Sequence, residues 1–202
     1  YQFPEPPFNM LISGITGCGK THFVLDLLET EYKKKFDYII IVCPTFQYNK
    51  TYNRKFIMSD PNIIPITVDD RLNDVLGKLI QEFKDNKEQT LIIVDDCANL
   101  YDAKLKATAL TKLAFHGRHL NLSVWVLTQK YNAIVKDFRE NIRMLVLFYD
   151  KDKESREAAF KENDIGIDSH EKNEIVRTLK NNKNSKLIMY LYQPFHFEIL
   201  SN

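Results

Sequence analysis

The segment Gly14-Ile15-Thr16-Gly17-Cys18-Gly19-Lys20-Thr21 restricts this chain more than any other. Only six glycines occur in the sequence, and three of them fall within these eight positions. The preceding Phe8-Asn9-Met10-Leu11-Ile12 reads as a short buried strand. His22 to Leu28 opens an amphipathic helix with Val24, Leu27, Leu28 and Tyr32 on one face. Strand, Gly-x-x-x-x-Gly-Lys-Thr and helix in that order form the pattern of a phosphate-binding loop. Glycines let the backbone wrap closely around phosphate oxygens and point successive N–H groups inward. The helix N-terminus adds a partial positive charge. The loop, Gly14 through Thr21, is therefore expected to grip the phosphates of ATP. Lys20 is expected to reach the β- and γ-phosphates, and the Thr21 hydroxyl to ligate Mg²⁺. Cys18 occupies a variable position of the pattern and is given no role. Without a ligand, the same residues would be a Gly-rich turn before a helix.

Leu91-Ile92-Ile93-Val94-Asp95-Asp96 supplies the matching carboxylates. An apolar run of this length reads as a strand buried on both faces, and the end of such a strand lies where open α/β sheets bind ligands. Asp95 is expected to hold Mg²⁺. Asp96, pointing the other way off the strand, is expected to orient or deprotonate the attacking water. An Asp-Asp pair that only caps the following helix is the plain alternative.

The rest of the chain alternates strands and helices. Strands are predicted at 38–43, at 63–68 (an edge piece, because of Pro65), at 122–127 and at 144–148. Helices are predicted at 71–84, with Asp70 as N-cap, and at 103–115. This alternation predicts an α/β fold, a mostly parallel sheet sandwiched by helices. Between Asp150 and Lys186 charge dominates, and two surface helices are expected, the second opened by a capping box at Asp168-Ser169-His170-Glu171. Leu187–Leu191 and Phe195–Ile199 predict a C-terminal antiparallel hairpin extending the sheet. With 202 residues against about 150 per domain, one domain over 1–202 is expected, its nucleotide-binding core at 8–150 and the charged helices and hairpin at 151–202.

Composition excludes several classes. At 44% hydrophobic and 12% aromatic residues, the chain can bury a core and is not disordered. The 28 basic and 27 acidic residues leave a net charge of +1, which excludes nucleic-acid binding by bulk charge but not by a local basic rim. Lys33-Lys34-Lys35 and the segment from Lys50 to Lys55 are the candidates for such a rim. No apolar run approaches the roughly 20 residues of a membrane span. Tyr1 to Pro7 has neither the basic nor the apolar part of a secretory signal, and the absent initiator Met is expected of a trimmed or partial chain. Three cysteines, Cys18, Cys43 and Cys97, form no Cys-x-x-Cys pair and suggest a reducing compartment.

Small-molecule kinases of the phosphate-loop kind place the acidic strand beside the loop strand. The additional-strand ATPases insert one more between them, here Leu122–Leu127. Its end, Thr128-Gln129, is expected to contact the γ-phosphate and the attacking water. Taken with Gly117-Arg118-His119 before that strand and Asn141-Ile142-Arg143 before the next, the set resembles the poxvirus-type virion DNA-packaging ATPases of the FtsK–HerA superfamily over about residues 8–150. The resemblance implies ATP-driven translocation of double-stranded DNA into a preformed capsid by a homo-oligomeric ring, pentamer or hexamer, docked at the capsid or portal vertex. It implies residence in the virion or the host cytoplasm, without secretion. It also implies an arginine finger reaching a neighbour's site: Arg118 first, then Arg139 or Arg143. His116 and His119 read as structural. Two other classes stay open: a nucleotide-gated assembly or secretion ATPase without a DNA substrate, and a nucleoside or nucleotide kinase with the charged segment after Asp150 as its lid.

Overall fold

The computed structural model describes residues 3–67, 72–82, 85, 87–95, 111, 112, 114, 115 and 117–201. Eight strands form one sheet: β1 (Met10–Ser13), β2 (Tyr38–Val42), β3 (Ile63–Ile66), β4 (Thr90–Val94), β5 (Leu122–Thr128), β6 (Met144–Phe148), β7 (Lys186–Tyr190) and β8 (His196–Leu200). Their order is β3-β2-β4-β5-β1-β6-β7-β8. All pairs from β3 to β6 are parallel, and β6–β7 and β7–β8 are antiparallel. The expected α/β sheet and the terminal hairpin are both present. β5 lies between β4 and β1, so an additional strand does separate the acidic strand from the loop strand. β3, with Pro65, is at the edge, where a residue without an N–H costs no ladder bond.

Among the described residues the helices are α1 (Lys20–Glu29), α2 (Lys55–Ser59), α3 (Leu72–Glu82), α4 (Lys136–Arg139), α5 (Lys153–Glu162) and α6 (Ser169–Asn181). Asp168 caps α6 through the predicted capping box, its side chain accepting from the Glu171 N–H. Asp70, Asp96, His116 and most of the helix predicted at 103–115 lie outside the described residues.

Neighbouring residues of the central strands alternate between two cores, as a strand covered on both faces requires. Leu11, Ile92, Val94, Val124, Val126, Leu145 and Leu187 pack on the side of α5 and α6. Met10, Ile12, Ile93, Trp125, Leu127, Val146 and Ile188 pack on the side of α1, against Val24, Leu25 and Leu28. Around Trp125, the rings of Phe8, Tyr32 and Phe36 stand 5.2–5.7 Å away by centroid. β1 starts two residues later than predicted because side chains take over the pairing there. The Phe8 N–H donates to Ser123 Oγ and the Val124 N–H to Asn9 Oδ1. The parallel strands then end together on one edge of the sheet, where the Gly14 N–H donates to the Thr128 carbonyl at 3.0 Å and the Asp95 N–H to that of Val42 at 2.9 Å.

Candidate nucleotide site

At that edge the chain leaves β1, turns through Gly14–Gly19 and enters α1. Gly17 and Gly19 have φ of 79° and 102°, left-handed conformations that L side chains rarely adopt. Gly14 is constrained differently: a Cβ there would stand 2.6 Å from Cys18 Sγ and 2.7 Å from Phe148 Cβ. Lys20 Nζ donates to the Gly14 carbonyl at 2.5 Å and the Ile15 carbonyl at 3.1 Å, which lays the ammonium across the mouth of the loop. Burial raises the Cys18 thiol pKa, against the opposing pull of Lys20. The thiol therefore stays protonated and packs as a small apolar group.

Thr21 and Asp95, 74 positions apart in sequence, are joined here. The Thr21 hydroxyl donates to Asp95 Oδ2 at 2.9 Å. Asp95 is 4% exposed, and the Tyr52 hydroxyl donates to the same oxygen at 2.5 Å. Two oxygens, one anionic, at the separation of neighbouring ligands on a hard cation fit a divalent ion such as Mg²⁺. A cavity of about 380 Å³ opens above them, lined among others by Thr16, Lys20, Asn49, Thr51 and Gln129.

Of the residues predicted for the site, the structure brings together the loop, Lys20, Thr21, Asp95 and Gln129. Thr128 and Gln129 both line the cavity, and the Thr128 hydroxyl donates to the Lys130 carbonyl. Arg118 lies in a 3₁₀ turn, Gly117–Leu120, just before β5. Arg139 is held by Glu162 at 2.6 Å and lies over the Tyr131 ring. Arg143 lies over Tyr192.

Sequence reasoning missed the segment between β2 and β3. Asn49, Thr51 and Tyr52 all reach the site, and Arg54 clamps the segment to α1 through Asp26 (2.8 Å) and Glu29 (2.9 Å). Its residues show no periodicity. The available signal was positional, since a loop leaving β2, the strand beside β4, must emerge at the ligand edge. Lys50 to Lys55, read as a basic rim, therefore includes an arginine already neutralised by α1. Lys33-Lys34-Lys35 follows the far end of α1, at the opposite edge of the sheet.

Among the described residues, no helix is long and apolar enough to cross a membrane.

Known proteins agree with this architecture. The DNA packaging protein OPG160 of Variola virus is 30% identical over 145 residues, covering 67% of this chain and 51% of that protein. The protein of the same name from Monkeypox virus is also 30% identical, over 46% of its length. The chain thus spans about half the length of these relatives. The genome packaging NTPase B204 of Sulfolobus turreted icosahedral virus 2, in complex with AMPPCP, superposes with a TM-score of 0.70 at 22% identity over 98% of each chain. The cytoplasmic domain of the Type VII secretion ATPase EccC of Thermomonospora curvata gives 0.65 at 11% identity over 96% of this chain and 25% of that one. At these identities the superpositions speak for the fold, and they take in α5, α6 and the hairpin, which the sequence motifs did not reach. The sequence profile of the poxvirus A32 protein family matches residues 2–196, and the chain belongs to that family.

Proposed function

We propose that this chain is an ATP-hydrolysing motor that moves double-stranded DNA into a preformed capsid. The observation that carries the chemistry is the 2.9 Å bond from the Thr21 hydroxyl to Asp95 beside a glycine loop spanned by Lys20. The packaging role is supported by family membership and by the likeness to the DNA packaging protein OPG160.

In this reading the loop amides and Lys20 hold the triphosphate, and Lys20 exchanges its two carbonyl partners for β- and γ-phosphate oxygens. Thr21 and Asp95 are the ligands of Mg²⁺, which when bound supplies charge neutralisation at the β- and γ-phosphates. Tyr52, donating to Asp95 Oδ2, fixes the rotamer of that carboxylate. Asp96 orients or deprotonates the attacking water, and Gln129 helps to orient it from the end of β5. The chain works as a homo-oligomeric ring, in which Arg118 of one subunit completes the site of its neighbour. Arg139 is the weaker candidate, since entering another site would mean leaving Glu162 and Tyr131. DNA is gripped without regard to sequence by basic side chains lining a central pore. The ring docks at the capsid or portal vertex, in the virion or the host cytoplasm.

The test is the ATPase rate with and without double-stranded DNA. Stimulation by DNA supports the motor. DNA-independent hydrolysis favours an assembly or secretion ATPase, and phosphate transfer to an added nucleoside favours a kinase. Arg118→Ala should lose activity and regain part of it in mixed rings with Lys20→Ala subunits, whose intact arginine completes the neighbouring site. With assembly intact, absence of rescue moves the finger elsewhere.

A further inference from the structure

The cavity above Thr21 and Asp95 is walled by the phosphate loop with α1, by the ends of β4 and β5 and, among the described residues, by Asn49 and Thr51 of the segment between β2 and β3. The first two walls already supply Lys20, Thr21, Asp95 and Gln129. We propose that the third supplies a further catalytic residue, Asn49, whose side-chain amide donates to a γ-phosphate oxygen of bound ATP. This role rests on the phosphate-site reading and adds to it a donor that lies outside every motif of the sequence.

Topology sets Asn49 across from Gln129. β4 lies between β2 and β5 in the sheet, and the Asp95 N–H donates to the carbonyl of Val42, the last residue of β2. The segment leaving β2 therefore rises on one side of Asp95, and Gln129 on the other. A γ-phosphate held by Lys20 over the Thr21–Asp95 pair lies between the two amides.

Local structure fixes which end of the Asn49 amide meets the ligand. Asn49 precedes a 3₁₀ turn, Lys50–Tyr52, and its Oδ1 accepts from the Thr51 N–H at 3.1 Å. A backbone N–H can only donate, so the oxygen is committed to the turn and the nitrogen end, with its two N–H groups, is left for the cavity. Among the described residues Nδ2 has no hydrogen-bond partner. The cap itself needs only the oxygen, which Asp or Ser would supply as well. The residue is also firmly placed. Its N–H donates to the Thr45 carbonyl at 2.9 Å, and its carbonyl accepts from the Tyr52 N–H at 3.1 Å. Beyond it, Tyr52 is bonded to Asp95 and Arg54 to Asp26 and Glu29 of α1. The donor is thus aimed before the ligand arrives, the condition under which a fixed dipole acts most strongly on developing charge.

Asn49→Asp and Asn49→Ser test the assignment, because each keeps an oxygen for the Thr51 N–H while removing the amide donor. ATP turnover is measured for both, together with calorimetric titration by ADP and by AMPPCP, a non-hydrolysable analogue that retains the γ-phosphate. The kcat should fall about 10²-fold in each variant, as for the loss of one preorganised donor to an anionic transition state. AMPPCP affinity should fall about tenfold, and affinity for ADP, which has no γ-phosphate, should stay within about twofold. Urea melts should match the native chain, because Asn, Asp and Ser cap about equally well. Native turnover in both variants overturns the assignment and leaves Asn49 a cap. So does an equal loss of ADP and AMPPCP affinity, which would trace to the shape of the site and not to a bond with the γ-phosphate. A native chain that binds neither ligand overturns the phosphate-site reading, and the role of Asn49 with it.

Discussion

The two halves of the sheet flanking β1 serve the same edge by different means. On one side, β5, β4 and β2 are parallel, so each delivers its C-terminal residue and the loop behind it: Gln129, Asp95 and the segment bearing Tyr52. On the other, β7 runs backward and delivers its first residue, Lys186, between the ends of β6 and β8. The parallel half gathers carboxylate, hydroxyl and amide groups suited to hydrolysis. The antiparallel half gathers apolar wall and one buried cation. A division of chemistry along the edge thus follows from strand direction.

The sharpest way to break this division is at the loop between the halves. Lys20→Ala should reduce ATP turnover by about 10³-fold and leave the melting temperature nearly unchanged, because the bonds described for Nζ stay within the loop, to the Gly14 and Ile15 carbonyls and Cys18 Sγ. Normal hydrolysis by that variant would remove the phosphate site from this position. Gly14→Ala should instead act through packing. Its Cβ would meet Cys18 Sγ at 2.6 Å and Phe148 Cβ at 2.7 Å, and the latter sits next to strand backbone and cannot swing away. Overpacking of this kind costs about 1–3 kcal/mol, and the same displacement would disturb the row Phe148–Lys186. A denaturant melt should therefore show lower stability, and a titration weaker ATP binding. Unaltered stability would mean that Cys18 and Phe148 give way more easily than their packing indicates.

Legibility in the sequence followed the same divide. Strand order on the parallel half could be argued because buried parallel strands are short continuous apolar runs and because Gly14–Thr21 and Asp95 have fixed chemical relations. The hairpin could be read from Pro194 between two apolar runs. What it does at the ligand edge could not, because Lys186 looks like one more surface lysine until the register sets it between Phe148 and Leu200. Tyr52 was hidden for a similar reason. Its 43-residue separation from Asp95 is closed by the β2–β4 pairing, which no local pattern encodes. Arg139 illustrates the converse, since a plausible finger by position is occupied by Glu162 on a helix from the charged segment.

Tyr52→Phe sharpens the account of the reactive half. It removes one of the two hydroxyl donors on Asp95 Oδ2 while keeping the ring packed beside Phe46, 5.0 Å away by centroid. Partners that orient metal ligands are worth about 10–100-fold in metal affinity, so the Mg²⁺ concentration giving half-maximal ATPase should rise by that order. At saturating Mg²⁺ the rate should recover most of its native value. A loss of rate that Mg²⁺ does not repair would place Tyr52 in the reaction itself.

The smallest effect compares the halves as structural units. Each carries a buried phenol bonded to a carboxylate: Tyr131, after β5, donates to Glu162 at 2.7 Å, and Tyr190, ending β7, donates to Glu198 at 2.5 Å. Burial, reinforced by the carboxylate bond, raises both phenol pKa values above the usual 10. Below pH 10 the folded and unfolded chains hold these protons equally, and stability does not depend on them. Above it the unfolded chain releases them first, so stability is lost as pH rises, by about 1.4 kcal/mol per pH unit for each phenol. Tyr131→Phe and Tyr190→Phe should each cost about 1 kcal/mol at neutral pH through the lost bond and each flatten the alkaline decline by one proton. Urea melts between pH 8 and 11 measure both quantities. Equal flattening by the two variants would mean that the halves unfold together, with the hairpin an integral part of the sheet. Flattening by Tyr131→Phe alone would mean that β7 and β8 detach before the parallel half melts.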